Sequence, residues 1–347
     1  MRVLVASDAI GALSSLEAGR IIASGWSTAA VDVLAIGEAG AGFVRAFAEQ
    51  RGASVEVFAV GLSTVAVAES GGAAALSISG GQPVADLPSD SSSRTLGEVL
   101  RLVLGSRRPH RVYLDLVGVA AHDAGAGLLA GLGATADRPL DQGAAALSDV
   151  GVADVNPALA ALGATELIGV VPHGELHQQL LGLRGVTSLR GRSASLDPAL
   201  LLRIDAALDR FAHLASAEHV AQAGAGACGG LGFAVLALGG RLTTGPDVAL
   251  ASVERAGDLM VTGCTVFDFA ARGGGVVAAV ADAAAAALSP CIVLAGEVLI
   301  GGREMRTMGI EAAYAVHEAS GDLTNGAAVN EVDLAALARR VARSWTW

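Results

Sequence analysis

The sequence predicts an α/β fold of two domains. Short Val/Ile/Leu runs end in Gly or Asp, Ala/Leu segments of helical character separate them, and 52% of the 347 residues are hydrophobic. Parallel strands buried on both faces read as near-continuous apolar runs, and each needs a crossover, usually a helix, to reach its neighbour. That much apolar material over this length builds two cores without disulfide staples.

The strand runs are residues 3–6, 31–36, 111–117, 166–171, 258–262, 291–295 and 312–316. Helical segments are expected at 15–24, 95–104, 198–215, 229–238, 275–288 and 332–344. Runs 3–6, 31–36, 258–262, 291–295 and 312–316 are assigned to one parallel, Rossmann-like sheet drawn from both ends of the chain. The expected domains are therefore 1–52 with 248–347, and an inserted α/β domain of 53–247. Within the insertion, runs 55–60, 64–69 and 74–79 are joined by turn-length gaps, which predicts antiparallel hairpins in a smaller subdomain. Residues 83–94, with two prolines and a serine cluster, read as a loop.

The formal charge of −11 argues against a nucleic-acid partner, since phosphate binding draws on clustered cations. The basic cluster Arg107-Arg108-Pro109-His110-Arg111 reads as a solvated loop before a strand. No lysine occurs, so all 23 residues counted as Lys+Arg are arginine. This removes a P-loop lysine, a Schiff-base lysine and a lysine general base; arginine neutralises phosphate but does not give up its proton. Cys228, Cys264 and Cys291 have no CxxC spacing and form an odd set, the pattern of reduced thiols in a cytoplasmic protein. The amino-terminal MRVLVASDAIG lacks a signal-peptide pattern, and the Ala-rich stretch 276–296 contains Asp282 and Pro290, so a helix and a buried strand are expected there and no membrane span.

Asp8 follows the first strand, where open α/β sheets place ligands; capping the next helix is the competing role. His173-Gly-Glu-Leu-His177 spaces two imidazoles four apart, but Gly174 disfavours a helix and no third ligand is assignable, so no metal site is expected. His122 and Asp123 are adjacent, so their side chains diverge. No G-x-S-x-G elbow supports a hydrolase. Trp345 and Trp347 suit a docking anchor or a partner surface better than chemistry.

The segment Gly224-Ala225-Gly226-Ala227-Cys228-Gly229-Gly230-Leu231-Gly232 resembles the GAGAAGGLG signature of bacterial glycerate kinases. No strand precedes it, which disfavours a dinucleotide-binding reading; a helix start using glycine for close packing is the alternative to ligand contact. Further blocks occur in the family's order. Val3 to Asp8 with Leu13, Ser14 and Leu16-Glu17-Ala18 is similar to IAPDSFKGSLSALEA, and Gly37 to Gly42 stands at ADGGEG. Val117 to Gly127 is similar to GGSATNDGGAG, Leu180 to Gly185 to LLGPRG, Val261 to Gly275 to ITGEGRFDEQSLHGK, and Ile292 to Gly296 to VIALAG.

The resemblance implies a two-domain kinase passing the ATP γ-phosphoryl group to D-glycerate with Mg²⁺, giving 2-phosphoglycerate. It implies catalytic roles for Asp8, Asp123 and Asp268, substrate contacts at Glu38, Arg184 and Gly263, and nucleotide contacts at Gly224, Gly226, Gly229 and Gly230. The sequence departs from the family at charged positions. The first block loses its lysine, Ala41 replaces an acid, DVDNP reads Glu175 to Gln179, PQKG reads Arg192 to Ser195, and the expected Glu, Arg, Gln and Lys of the last signature are Cys264, Val266, Ala270 and Gly275. Phosphoryl transfer depends on charge neutralisation and positioning, so these losses predict an impaired kinase that binds a small anionic metabolite, a nucleotide or a protein partner, including a second copy of itself. The alternative is an active glycerate 2-kinase with ATP and Mg²⁺ whose phosphate site uses arginine, with Arg45, Arg184, Arg190, Arg192 and Arg272 as candidates.

Overall fold

Residues 1–40, 42–79, 90–317 and 329–346 are described by the structure, a computed structural model. Ala41, Trp347 and residues 83–89 of the expected loop lie outside them.

In chain order the elements begin with β1 (Arg2–Val5), α1 (Ser15–Ala23), β2 (Ala30–Val33), α2 (Phe43–Arg51), β3 (Val55–Val60), β4 (Ser63–Ser70), β5 (Ala73–Ser79), α3 (Arg94–Arg107) and β6 (Arg111–Asp115). Next come α4 (Ala126–Leu132), β7 (Thr135–Ala136), β8 (Ala153–Asp154), α5 (Asn156–Leu162), β9 (Glu166–Val170), α6 (Val186–Ser193), α7 (Pro198–Ser216), α8 (Ala227–Ala237) and β10 (Arg241–Thr243). The chain ends with α9 (Gly245–Leu250), β11 (Leu259–Phe267), α10 (Val276–Ala286), β12 (Cys291–Val298), α11 (Gly302–Thr307), β13 (Ile310–Ala315) and α12 (Glu331–Ala342).

Two compact units result. The first comprises Met1–Glu38, Arg45–Ala53 and Gly245–Trp347; the second comprises Ala39–Val44 and Ser54–Thr244.

The first unit holds a five-stranded sheet of order β13-β12-β11-β1-β2, parallel throughout. Its strands are the five apolar runs assigned to one sheet from the sequence. From β1 the chain steps outward to β2 and later returns to β11 on the other side of β1, so the order is 2-1-3-4-5 when these strands alone are counted. The topological switch point falls between β1 and β11, and open sheets of this kind bind ligands outside the carboxyl ends of the strands there. Each sheet face has its own core, one around Phe267, Val280 and Val293, the other around Ile22, Trp26 and Leu337. Local signals fix the covering helices. Ser14 and Glu17 form a capping box at α1, and Asn330 accepts from the Asp333 N–H at α12.

The second unit carries a six-stranded mixed sheet of order β10-β9-β6-β5-β4-β3. β3, β4 and β5 pair antiparallel as their turn-length gaps predicted. They do not form a separate subdomain, however: β5 pairs parallel with β6, and the meander is one edge of the same sheet. The reason is that β5 is buried along most of its length, so it must be covered and paired on both sides. The sheet and helices α3, α4, α7 and α8 enclose one core that includes Leu100, Leu128, Phe211 and Phe233. No helix among the described residues is long and apolar enough to cross a membrane.

Helices α3 and α4 approach through glycine. A Cβ at Gly97 would overlap the Leu128 carbonyl, and one at Gly131 would overlap the Arg94 carbonyl. Gly97→Ala should therefore destabilise the protein. Overpacking costs about 1–3 kcal/mol, offset in part by the roughly 1 kcal/mol helix preference of alanine. Urea denaturation of both proteins measures it, and an unchanged midpoint would contradict the close approach.

Candidate functional site

At the switch point of the first unit, hydrogen bonds fix the end of β1. The Asp8 N–H donates to the Gly263 carbonyl (3.0 Å), the Ser15 hydroxyl donates to the Ser7 carbonyl (2.7 Å), and the Ile36 N–H donates to Ser15 Oγ (2.8 Å). These bonds register the segments after β1, β2 and β11 on one another. Gly263 is a packing position, since a Cβ there would lie 2.8 Å from Ser7 Oγ. Ser14, not Asp8, caps α1. The Asp8 carboxylate is left at the sheet end, accepting from its neighbour Ala9 N–H (2.8 Å), and burial raises its pKa.

Glu38 follows β2. Burial first, and then the negative charges of Asp8 and Asp247, push its carboxyl up to about 7, while the Val276 N–H at the start of α10 opposes the rise. Its Oε1 is buried without a hydrogen-bond partner among the described residues. Gly275, with φ of +98°, faces it, and a Cβ at that position would stand 3.1 Å from Oε1. Asp268 caps a short 3₁₀ turn through the Ala270 N–H (2.9 Å). The Cys264 thiol is pushed up to about 12 by burial and by the charges of Asp8 and Asp268, which makes it unreactive.

Asp8 thus lies close to Gly263 and Glu38, and Asp8 and Asp268 both act on the Cys264 thiol. Asp247 was not anticipated: Gly245-Pro246-Asp247 announces only a helix start.

In the second unit, Asp123 is fully buried. It accepts from the Ser93 N–H (2.9 Å) and hydroxyl (2.9 Å), the Gly125 N–H (3.0 Å) and the Gly127 N–H (3.1 Å). Ser93 Oγ in turn accepts from the Leu128 N–H (2.8 Å), so this carboxylate ties the start of α3 to the start of α4. These contacts of Asp123 are structural. His122 turns the other way, as adjacency predicts. Its Nδ1 faces Arg190 Nη1 (3.4 Å) and its Nε2 faces Thr187 Oγ1 (2.9 Å). Because guanidinium only donates, Nδ1 must accept and Nε2 must carry the proton. Burial, and then the Arg190 charge, lower the His122 pKa to about 3 and keep the ring neutral.

Arg190, itself largely desolvated, also donates to the Ala121 carbonyl (3.0 Å). Arg184 is exposed, and its carbonyl accepts from Gln178 Nε2 (2.9 Å). Asp115, at the end of β6, accepts from the Gly40 N–H (2.6 Å) and the Val117 N–H (3.0 Å), and burial pushes it up to about 7.

The glycine-rich segment is buried throughout, from Gly224 to Gly230. Cys228, Gly229 and Gly230 are left-handed in succession at φ of 50°, 76° and 93°. A Cβ at Gly226 would overlap the Gln179 carbonyl, and one at Gly230 would lie 2.6 Å from Ala124 Cα, so these glycines permit close packing. The Cys228 N–H donates to Glu175 Oε2 (2.6 Å), giving the turn a carboxylate from its own chain. His173 to Glu175 form a 3₁₀ turn, and no cluster of three metal-ligating side chains occurs among the described residues.

Asp123→Ala should cost at least about 3 kcal/mol, since several buried donors lose their acceptor at roughly 1–3 kcal/mol each. Chemical denaturation reads this loss, and near-wild-type stability would remove Asp123 from its structural role. Glu38 and Asp115 bind protons more tightly folded than unfolded, so their stabilising effect is complete below about pH 4 and is lost as pH rises through about 7. Tm should fall between pH 5 and pH 8, and the fall should shrink in Glu38→Gln. An equal fall in that variant would contradict the assignment.

The family model described as the glycerate kinase family matches residues 3–346. An uncharacterized protein of Mycobacterium bovis is 32% identical, the match covering 99% of this chain and 91% of that one. A glycerate kinase of Haemophilus influenzae is 27% identical over 73% of this chain and 70% of its own. The crystal structure of a protein assigned as glycerate kinase 2 from Salmonella typhimurium LT2 superposes with a TM-score of 0.80 at 25% identity, covering 99% of this chain and 98% of that one.

Proposed function

The chain belongs to the glycerate kinase family, and from that premise we propose that it keeps the family's scaffold and binds a small organic anion, a nucleotide or a protein partner while transferring phosphoryl groups poorly or not at all. The observation that carries this reading is Glu38. Its buried Oε1 faces Gly275, where the family resemblance places a lysine, and its carboxyl is pushed up to about 7. A kinase must neutralise negative charge around transferring phosphate, and the first unit gathers carboxyl groups at that position instead.

The residues present fit Mg²⁺ in donor chemistry, because carboxylate oxygens are hard ligands and Glu38 Oε1 has no other partner among the described residues. Asp8 and Glu38 would hold the ion, with water or phosphate oxygens completing its shell. When bound it would neutralise phosphate charge. The chain's own groups orient and cap: Gly263 positions the Asp8 backbone, and Asp268 orders the turn after β11.

A second reading, an active glycerate 2-kinase with an arginine-based phosphate site, is favoured by Arg190. This desolvated guanidinium bonds a carbonyl and a neutral imidazole, and forms no ion pair within 4 Å among the described residues. Arginine suits phosphate recognition through its fork of donors.

A coupled ADP-release assay with Mg-ATP and D-glycerate separates the two. Turnover should be at least about 10³-fold below that of the Haemophilus influenzae enzyme run alongside, the scale on which losing a transition-state donor acts. Comparable turnover that disappears in Asp268→Asn would overturn the impaired reading.

A further inference from the structure

Helices α6 and α7 of the second unit border a cavity of about 630 Å³ remote in character from the carboxyl cluster, being lined chiefly by hydrocarbon. Leu183, Leu196, Pro198, Leu201 and Leu202 form its apolar wall. Leu183 is 87% exposed and Leu202 is 72% exposed, an arrangement that costs solvation free energy unless something covers it. The shape depends on Gly191, where any Cβ would strike the Leu201 side chain, so α6 offers Leu201 a flat surface.

Two charged groups line the same cavity. Asp205 is already committed, for its carboxylate oxygens accept from the Gly182 N–H at 3.3 and 3.1 Å and fix the turn before α6. Arg192 is held but not neutralised. Its Nε donates to the Ser188 carbonyl (3.2 Å) and its Nη2 to the Leu183 carbonyl (3.4 Å), and no acidic side chain lies within 4 Å of it among the described residues. The remaining guanidinium donors are available to an anion.

We propose that this cavity is a binding site for a carboxylate with a medium-length hydrocarbon body, the chain lying against the leucines and the carboxylate meeting Arg192. The volume suits a small-molecule site, which typically spans about 300–1,000 Å³ and combines apolar walls with a few polar groups that fix orientation. At Arg192, where no acidic side chain stands within 4 Å among the described residues, charge complementarity selects an anionic head over a neutral one. Arg192 is also one of the arginines that the sequence offers for a phosphate site, and the decanoate and decanol comparison reads hydrocarbon binding apart from that role.

Isothermal titration of the full-length protein with decanoate, with decanol as the neutral comparator, tests it. Decanoate should bind saturably at one site per chain. Arg192→Gln should weaken decanoate about tenfold or more, the scale of a charged hydrogen bond, and leave decanol unchanged. Leu202→Asp should abolish both, and its side chain is exposed enough for the fold to tolerate the change, which circular dichroism verifies. Leu183→Asp provides the same readout from a second lining residue. Absence of saturable heat, equal affinity for decanol, or binding that survives both aspartate variants would overturn the proposal. So would a concentration-dependent dimer in sedimentation that Leu202→Asp dissolves and decanoate does not displace.

Discussion

Carboxyl groups buried without a cationic side chain beside them set the character of this molecule. Glu38 in the first unit and Asp115 in the second are each pushed up to about 7, and Asp8 and Asp123 are raised as well, with burial the leading cause in every case. Backbone N–H groups do the compensating. Three backbone N–H groups reach Asp123 beside the Ser93 hydroxyl, two reach Asp115, and one neighbour reaches Asp8. A carboxylate satisfied by backbone amides locks local structure, because each amide belongs to a particular turn. Asp123 is held in this way and orders the starts of two helices. Glu38 is the exception, with one oxygen left over, and that difference separates a structural acid from one still able to meet a ligand.

Much of the fold was legible because its signals are local or periodic. The five strands of the parallel sheet are mainly apolar runs, and the starts of α1 and α12 carry side-chain caps. The edge meander was recognised as antiparallel, yet its attachment to β6 was not, since strand neighbours far apart in sequence leave no local trace. Short helices such as α9 and α11 were missed because six residues give too few turns for a periodic pattern. Strand β11 extends to Phe267, beyond the expected end at residue 262, because it continues to pair with β12 through Val266 and Phe267.

The candidate site was partly legible for a related reason. Asp8 and Asp268 follow strand runs, and their convergence follows once the strand order is known. The roles of Asp123 and the glycine-rich segment were harder to read, because a ligand-binding glycine and a packing glycine have the same letter. Space gives two of these glycines a packing role. The Gly226 and Gly230 positions abut backbone from residues 179 and 124, and the Cys228 amide is taken by Glu175. A phosphate approaching that amide would have to displace a carboxylate of the same sign that is already bonded to it.

The absence of lysine has to be weighed against this geometry. A general drift from lysine to arginine would leave arginine at the family's lysine positions, preserving charge. The sequence instead has a deletion after Asp8, and Ala194 and Gly275 at the other two. At Gly275 the geometry is specific: a side chain there would begin 3.1 Å from the unpartnered oxygen of Glu38, and glycine leaves that oxygen facing backbone. Burial, and then the charges of Asp8 and Asp247, raise the Glu38 carboxyl, and a cation beside it would act in the opposite direction. Arg190, a further guanidinium of the second unit, is buried against Ala121 and His122. Substitution of arginine for lysine in place would put a guanidinium at those two positions, and the chain has Ala194 and Gly275 there.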